Sequence, residues 1–273
     1  MTAPNHTDVP VALGTEFSRY VASTALLSLQ DFRTAAPAEP SFLIITQVME
    51  LLFKLSYVEA RRARDQIEAG AVEEALSGLR RLREAQQVTV QGWSVLSALS
   101  PVDYLQFRDD LGDGTGFQSF VFRQWEFVLG KKNADLVEPY VGDPVAEPAL
   151  RSALAEPSLY DSVLGRFARH GIRLPGSCLR RDWTRPYEPN SEVELAWSRV
   201  YGEPRRYETL YRLGEALMDV AYEFARWQAT HILVVERVLG AKTGTGGTSG
   251  VAWLRKASER RLFPELWSLR AVL

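Results

Sequence analysis

A single cysteine, Cys178, occurs in the chain, so no internal disulfide can form. A lone thiol fits a reducing compartment, and the cytoplasm is the expected location. Excess charge of either sign is also missing. The 32 Lys and Arg nearly balance the 34 Asp and Glu, for a net charge of −2. That removes the bulk electrostatic case for nucleic acid or a membrane surface as a partner. The longest apolar runs fall short of a membrane span. The opening MTAPNHTDVP has neither the basic nor the apolar region of a signal peptide. No internal repeat is visible, and no stretch reads as strand, turn and strand. The usual phosphate motifs are absent too. The glycine-rich run 244–250, GTGGTSG, does not end in Gly-Lys-Ser/Thr, and a helical stretch precedes it where a dinucleotide fingerprint needs a strand. Asp109, Asp110 and Asp113 lack the spacing and the closing glutamate of an EF-hand. They read as solvated loop acids.

What is present is helical patterning. The 273 residues are 46% hydrophobic and 24% charged, ordinary for a globular protein with a substantial core. Residues 1–13 are polar and proline-containing and read as a mobile tail. Residues 16–30 read as a first helix, striped by Phe17, Tyr20, Val21 and Leu27. Residues 41–69 form a long helix whose first half is apolar nearly all round, hence buried. Phe42, Thr46, Met49, Glu50 and Phe53 share one of its faces. Gly70 ends it, and 72–99 is helical again. Ser100-Pro101 starts a short helix on which Tyr104 and Arg108 lie one turn apart. Residues 109–116 are loop, 117–129 helix, 131–149 mixed loop and 150–168 helix. That last helix closes near His170, which its dipole favours. Residues 174–203, rich in proline and charge, read as an excursion rather than core. Residues 207–239 and 251–260 complete the helices. The expected fold is all-α: one helical-bundle domain over 14–273 with an N-terminal arm.

His231 lies four residues after Trp227 and four before Val235, on the inward face of the 207–239 helix. Alone, it reads as a hydrogen-bonded core histidine before it reads as a metal ligand. A single imidazole nevertheless suffices to hold haem iron. Gly240 stops the helix, and the glycine run beyond it offers hydroxyls at Thr245, Thr248 and Ser249. That run reads equally as a flexible connector or as a binding loop.

Three blocks taken together are more specific. FLIITQVMELLFK (42–54), YLQFRDDLGDGTGFQSFVFR (104–123) and His231 followed fourteen residues later by Thr245 inside GTGG occur in this order. With the tail 251–270, they resemble the haem-dependent tryptophan 2,3-dioxygenases over most of the chain. The resemblance implies an all-α homotetramer, a dimer of dimers, with haem b, molecular oxygen as co-substrate and L-tryptophan or a substituted tryptophan as substrate. It makes His231 the axial ligand of the iron. Arg108, Tyr104 and Thr245 become the clamp on the substrate's carboxylate and ammonium, Phe42 the packing surface for the indole, and Thr115 and Gly116 the neighbours of the haem edge. Phe17, Tyr20 and Val21 match positions that line the pocket of an adjacent subunit.

Two positions depart from the family pattern. Thr46 stands where the distal histidine faces the indole N–H, and Thr115 stands for a serine. Thr46 cannot serve as an imidazole base, though its hydroxyl can accept or donate one hydrogen bond. Ring-cleaving dioxygenation to an N-formylkynurenine is the leading expectation, because the substrate clamp is retained. The alternatives are monooxygenation to a 2-oxindole or hydroxyindole, and a non-catalytic haem- or tryptophan-binding protein.

Overall fold

The computed structural model describes residues 14–112, 114–240 and 250–273. The loop residues 241–249, Thr245 among them, lie outside the described residues, as do 1–13 and 113. Among the described residues the structure is helical and contains no strand. In chain order the helices are α1 (Glu16–Tyr20), α2 (Ser23–Leu26), α3 (Glu39–Ala69), α4 (Val72–Ser97), α5 (Pro101–Leu105), α6 (Phe120–Leu129) and α7 (Ala146–Ala155). They continue as α8 (Leu159–Leu164), α9 (Gly176–Leu179), α10 (Ser191–Gly202), α11 (Glu208–Leu239), α12 (Val251–Glu259) and α13 (Pro264–Ser268).

Three long helices set the frame. α3 runs against α4, α4 against α11, and α6 closes on α3. Their meeting faces carry the core: Phe53, Leu79, Leu82, Trp125, Leu213 and Phe224 are all buried. The ends are cut as the sequence predicts. Gly70 takes a left-handed φ of 88° after α3, and Gly240 a φ of 64° after α11. Ser100 caps α5 through a reciprocal box with Asp103, with Pro101 at the first helical position.

Several expectations need correction. The helix expected over 16–30 is broken, because Ala22 takes a φ of 49° and separates α1 from α2. Neither piece buries a side chain in this chain, so no packing holds a single rod together. The 150–168 helix is two, with Pro157 between α7 and α8. The 174–203 segment is only half an excursion. α10 buries Val193, Trp197 and Val200 completely, and the proline-rich stretch before it masked that pattern. His170 is not raised by a helix end; burial and Arg166 push its pKa down. Finally, α3 is long and apolar enough, by length and composition, to cross a membrane. Its face toward α4 is packed, while Ile44, Val48, Leu51, Leu55 and Val58 stand exposed along its other side.

The C-terminal elements are anchored one by one. Buried Glu265 of α13 accepts from Tyr160 and Tyr187 at 2.9 and 2.6 Å and from the Asn190 amide at 2.8 Å. α12 is tied back by Lys131, whose Nζ donates to the Ala257 carbonyl at 3.0 Å, and by the Arg255–Glu236 ion pair.

Candidate active site

Between α3, α4, α5, α11 and α12 lies a cleft with about 1250 Å³ of atom-free space, its open mouth included. α3 lines it with Phe42, Thr46, Glu50 and Phe53, all within three turns of one face. α5 contributes Tyr104, and the turn after it contributes Thr115 and Gly116. α11 contributes Trp227, His231 and Val234, and α12 closes the side with Leu254. Six residues singled out from the sequence therefore meet in one space: Phe42, Thr46, Tyr104, Thr115, Gly116 and His231.

His231 is held from two directions. Its ring lies nearly parallel to that of Trp93, 4.4 Å between centroids and 13° between planes, and 5.3 Å from Trp227. By accessible surface it is half-buried, and it borders the cleft. Protein packs all round the imidazole, and this desolvation lowers its pKa from 6.5 to about 4. At neutral pH it is therefore the uncharged imidazole that a metal requires. Trp93 was not identified from the sequence. Its contact with His231 crosses from α4 to α11, and nothing local to either helix encodes it.

At the opposite end, Phe42 packs against Tyr104 and Phe107 at centroid distances of 5.8 and 5.3 Å. Burial pushes the Tyr104 phenol up, while the neighbouring Arg108 guanidinium, which hydrogen-bonds it, draws it back. Arg108, half-buried and one turn beyond Tyr104, is not among the residues that line the cleft. Thr46 donates its hydroxyl hydrogen to the Phe42 carbonyl at 2.7 Å. What it presents to the cleft is then oxygen lone pairs, an acceptor without a proton to give.

The arm residues are not part of this space within one chain. Phe17 is 72% and Tyr20 90% exposed on α1, and Val21 follows them at the surface.

The donor set fits a metal carried by a macrocycle. No cluster of three or more His, Cys, Asp or Glu side chains able to hold a bare ion occurs among the described residues. One neutral imidazole on an otherwise apolar wall is what haem needs from a protein. The indole N–H groups of Trp93 and Trp227 are buried on this wall without an acceptor, an arrangement that calls for a bound group or water to accept from them.

Comparison with known proteins agrees with this arrangement. The model of the family described as tryptophan 2,3-dioxygenase matches residues 2–141 and 196–273. A tryptophan 2,3-dioxygenase of Caulobacter vibrioides is 42% identical over 94% of this chain and 98% of its own length. One from Exiguobacterium sibiricum is 38% identical over the full length of both chains, and tryptophan 2,3-dioxygenase 1 of Ralstonia nicotianae is 40% identical over 94% of this chain and 87% of its own. The unmatched residues 142–195 hold α7 to α9, away from the cleft. With matches of this extent, and with the family's blocks folded around one cleft, the chain belongs to the tryptophan 2,3-dioxygenase family.

Proposed function

We propose that this protein is a haem-dependent dioxygenase that opens the indole C2–C3 bond of L-tryptophan to give N-formylkynurenine. The observation that carries the reading is the convergence of residues from α3, α5, the following turn and α11 on one cleft with a neutral His231. Nothing in the fold or the relatives calls for a monooxygenase or a non-catalytic binder instead.

Haem supplies the activation of oxygen that triplet O₂ needs before it reacts with an electron-rich indole. His231 would hold the iron through its neutral imidazole. The haem is read as haem b from the family, and the chain has no C-x-x-C-H motif for covalent attachment. Arg108 and Tyr104 receive the substrate carboxylate, the guanidinium offering two parallel N–H donors to its two oxygens. Thr245 completes that clamp. Phe42 packs on the indole, fixing the ring along α3. Thr46, with its own proton committed, accepts from the indole N–H and orients it without abstracting its proton. Thr115 and Gly116 stand at the haem edge. The apolar walls exclude water from the reacting atoms. In this assignment the chain contributes binding, orientation and dryness, and no side chain acts as a base.

The exposed surface supports a homotetramer built as a dimer of dimers. On α3, Ile44, Val48, Leu51, Leu55 and Val58 recur at alternating spacings of four and three, the seam that a second helix packs against. This seam favours another protein helix over lipid as its cover. Phe17, Tyr20 and Val21, uncovered in their own chain, are read as closing a neighbour's cleft, and their exposure supports that reading. The lone thiol is consistent with the cytoplasm.

The test is product mass from ferrous, haem-loaded protein given L-tryptophan and ¹⁸O₂. Two labelled atoms on an opened ring support the proposal. One labelled atom on an intact bicycle overturns dioxygenation, and no product from tryptophan overturns the substrate assignment.

A further inference from the structure

One polar side chain of the α3 wall is not used by the reaction as described. Glu50 lies one turn beyond Thr46 and borders the same cleft. Its Oε2 accepts from the Ser119 hydroxyl at 2.9 Å. Ser119 is the N-cap of α6 and accepts in turn from the Phe122 amide at 3.0 Å. The residues just before Ser119 form the 114–118 turn, which carries Thr115 and Gly116 along the cleft rim. Within that turn the Thr115 amide donates to the Gln118 side chain at 3.1 Å, and the Gln118 amide donates to the Thr115 carbonyl at 2.9 Å. The Ser119 amide donates to the Gly116 carbonyl at 3.4 Å, so Glu50 is the α3 end of a short chain of hydrogen bonds that reaches the rim through one serine.

We propose that Glu50 is a positioning residue for this site: it holds Ser119, and through it the 114–118 turn, in the place that substrate and haem edge require. The inference rests on the cleft being the tryptophan and haem site. A carboxylate suits the task because it meets the positive end of α6 as well as the serine hydroxyl. The surroundings add no competing partner. Arg123 and Glu126 of α6 pair with each other. Tyr140 feels Arg123, Glu50 and Glu126 together, and its phenol oxygen accepts from Arg123. Burial raises the Glu50 pKa, and the Ser119 hydroxyl partly offsets this. Among the α3 residues that line the cleft, Phe42, Thr46, Met49 and Phe53 do not titrate, so Glu50 alone carries a pH signal on that wall.

The test compares wild type with Glu50→Gln, Glu50→Leu, Ser119→Ala and the Glu50→Leu/Ser119→Ala double variant, each as haem-loaded full-length protein. Glu50→Leu is expected to raise KM for tryptophan about tenfold, the scale of one lost hydrogen bond to a charged group, with kcat within about twofold. The double variant is expected to be no worse than Glu50→Leu. Glu50→Gln keeps an acceptor and the side chain's shape. It is expected to fall between the two at neutral pH and to lose the acid-side inflection of kcat/KM expected for wild type above the ordinary carboxylate range. A second readout needs no turnover. Amide hydrogen exchange across 114–119 is expected to speed up in Glu50→Leu, with or without haem, while exchange in α7 stays unchanged. Wild-type KM and pH profile in both Glu50 variants, additive effects in the double variant, or unchanged exchange across 114–119 would each overturn the inference. An inactive wild type would count against the functional reading instead, and the exchange comparison still decides the role of Glu50.

Discussion

His231 and Lys132 both become cations on protonation, and the fold desolvates both. For His231 enclosure is the useful outcome, since it leaves a neutral ligand. His231→Ala is expected to abolish haem retention, read as loss of the Soret band per protein while far-ultraviolet dichroism is kept. Retained haem would remove the axial assignment. Lys132 is different. It is fully buried, and its Nζ donates to the carbonyls of Ala153, Leu154 and Glu156 at 2.6, 2.9 and 2.6 Å, capping the end of α7. Burial pushes its pKa from 10.5 down to about 7. Between those values the unfolded chain holds a proton that the native lysine has released. Stability from this group therefore rises with pH from about 7 to 10.5 and is lowest below 7. Lys132→Met keeps the buried stem but strands three carbonyls, at a cost of about 3 kcal/mol near neutrality. Urea midpoints at pH 7 and pH 9 check both statements: the variant should be less stable, and its rise across the interval should be flatter than that of wild type.

At the scale of elements, α10 packs closely on α11 at Gly214. A Cβ on Gly214 would come within 2.8 Å of the Trp197 ring and 3.1 Å of the Tyr201 hydroxyl. Trp197 is fully buried and cannot withdraw. Gly214→Ala should gain helix propensity yet lose stability by about 2 kcal/mol, because overpacking outweighs the propensity gain. A thermal melt at least as stable as wild type would show that α10 can slide. The same contact explains which elements could be read from sequence. α3 and α11 announce themselves through apolar residues at helical spacing with a glycine stop, and the site residues ride on those helices and on the Tyr104–Arg123 block. α10 is hidden, because its four buried positions follow a proline-rich, charged stretch and only packing against its neighbours makes them core. The break at Ala22 has no sequence signal, since the residues around it are ordinary helix formers. Trp93 beside His231 and Glu50 beside Ser119 are meetings between helices, which periodicity along one helix cannot report. The reading thus recovered the residues that share an element or a motif, and missed pairings that exist only once the helices meet.

At the scale of the whole molecule, the single chain leaves two apolar features uncovered, and they need not be covered by the same contact. The α3 seam from Ile44 to Val58 is long and regular, suited to a stable helix-to-helix interface. The α1 arm is short and broken by Ala22, with Phe17 and Tyr20 outward, suited to reaching across a boundary that the seam has already made. The two should separate by mutation. Leu51→Glu with Leu55→Glu places like charges in the seam and should yield a smaller species in sedimentation velocity. If the arm closes a neighbour's cleft, that species should also show a raised KM for tryptophan, although neither leucine lines the cleft. Phe17→Ala with Tyr20→Ala should leave the assembly mass and the haem content unchanged and still raise KM for tryptophan severalfold, because large aromatic surface would be lost from the pocket of the adjacent subunit. Unchanged KM in the arm variant would confine the active site to one chain. Unchanged mass in the seam variant would mean that another surface makes the assembly, and the α3 stripe would then need a different cover.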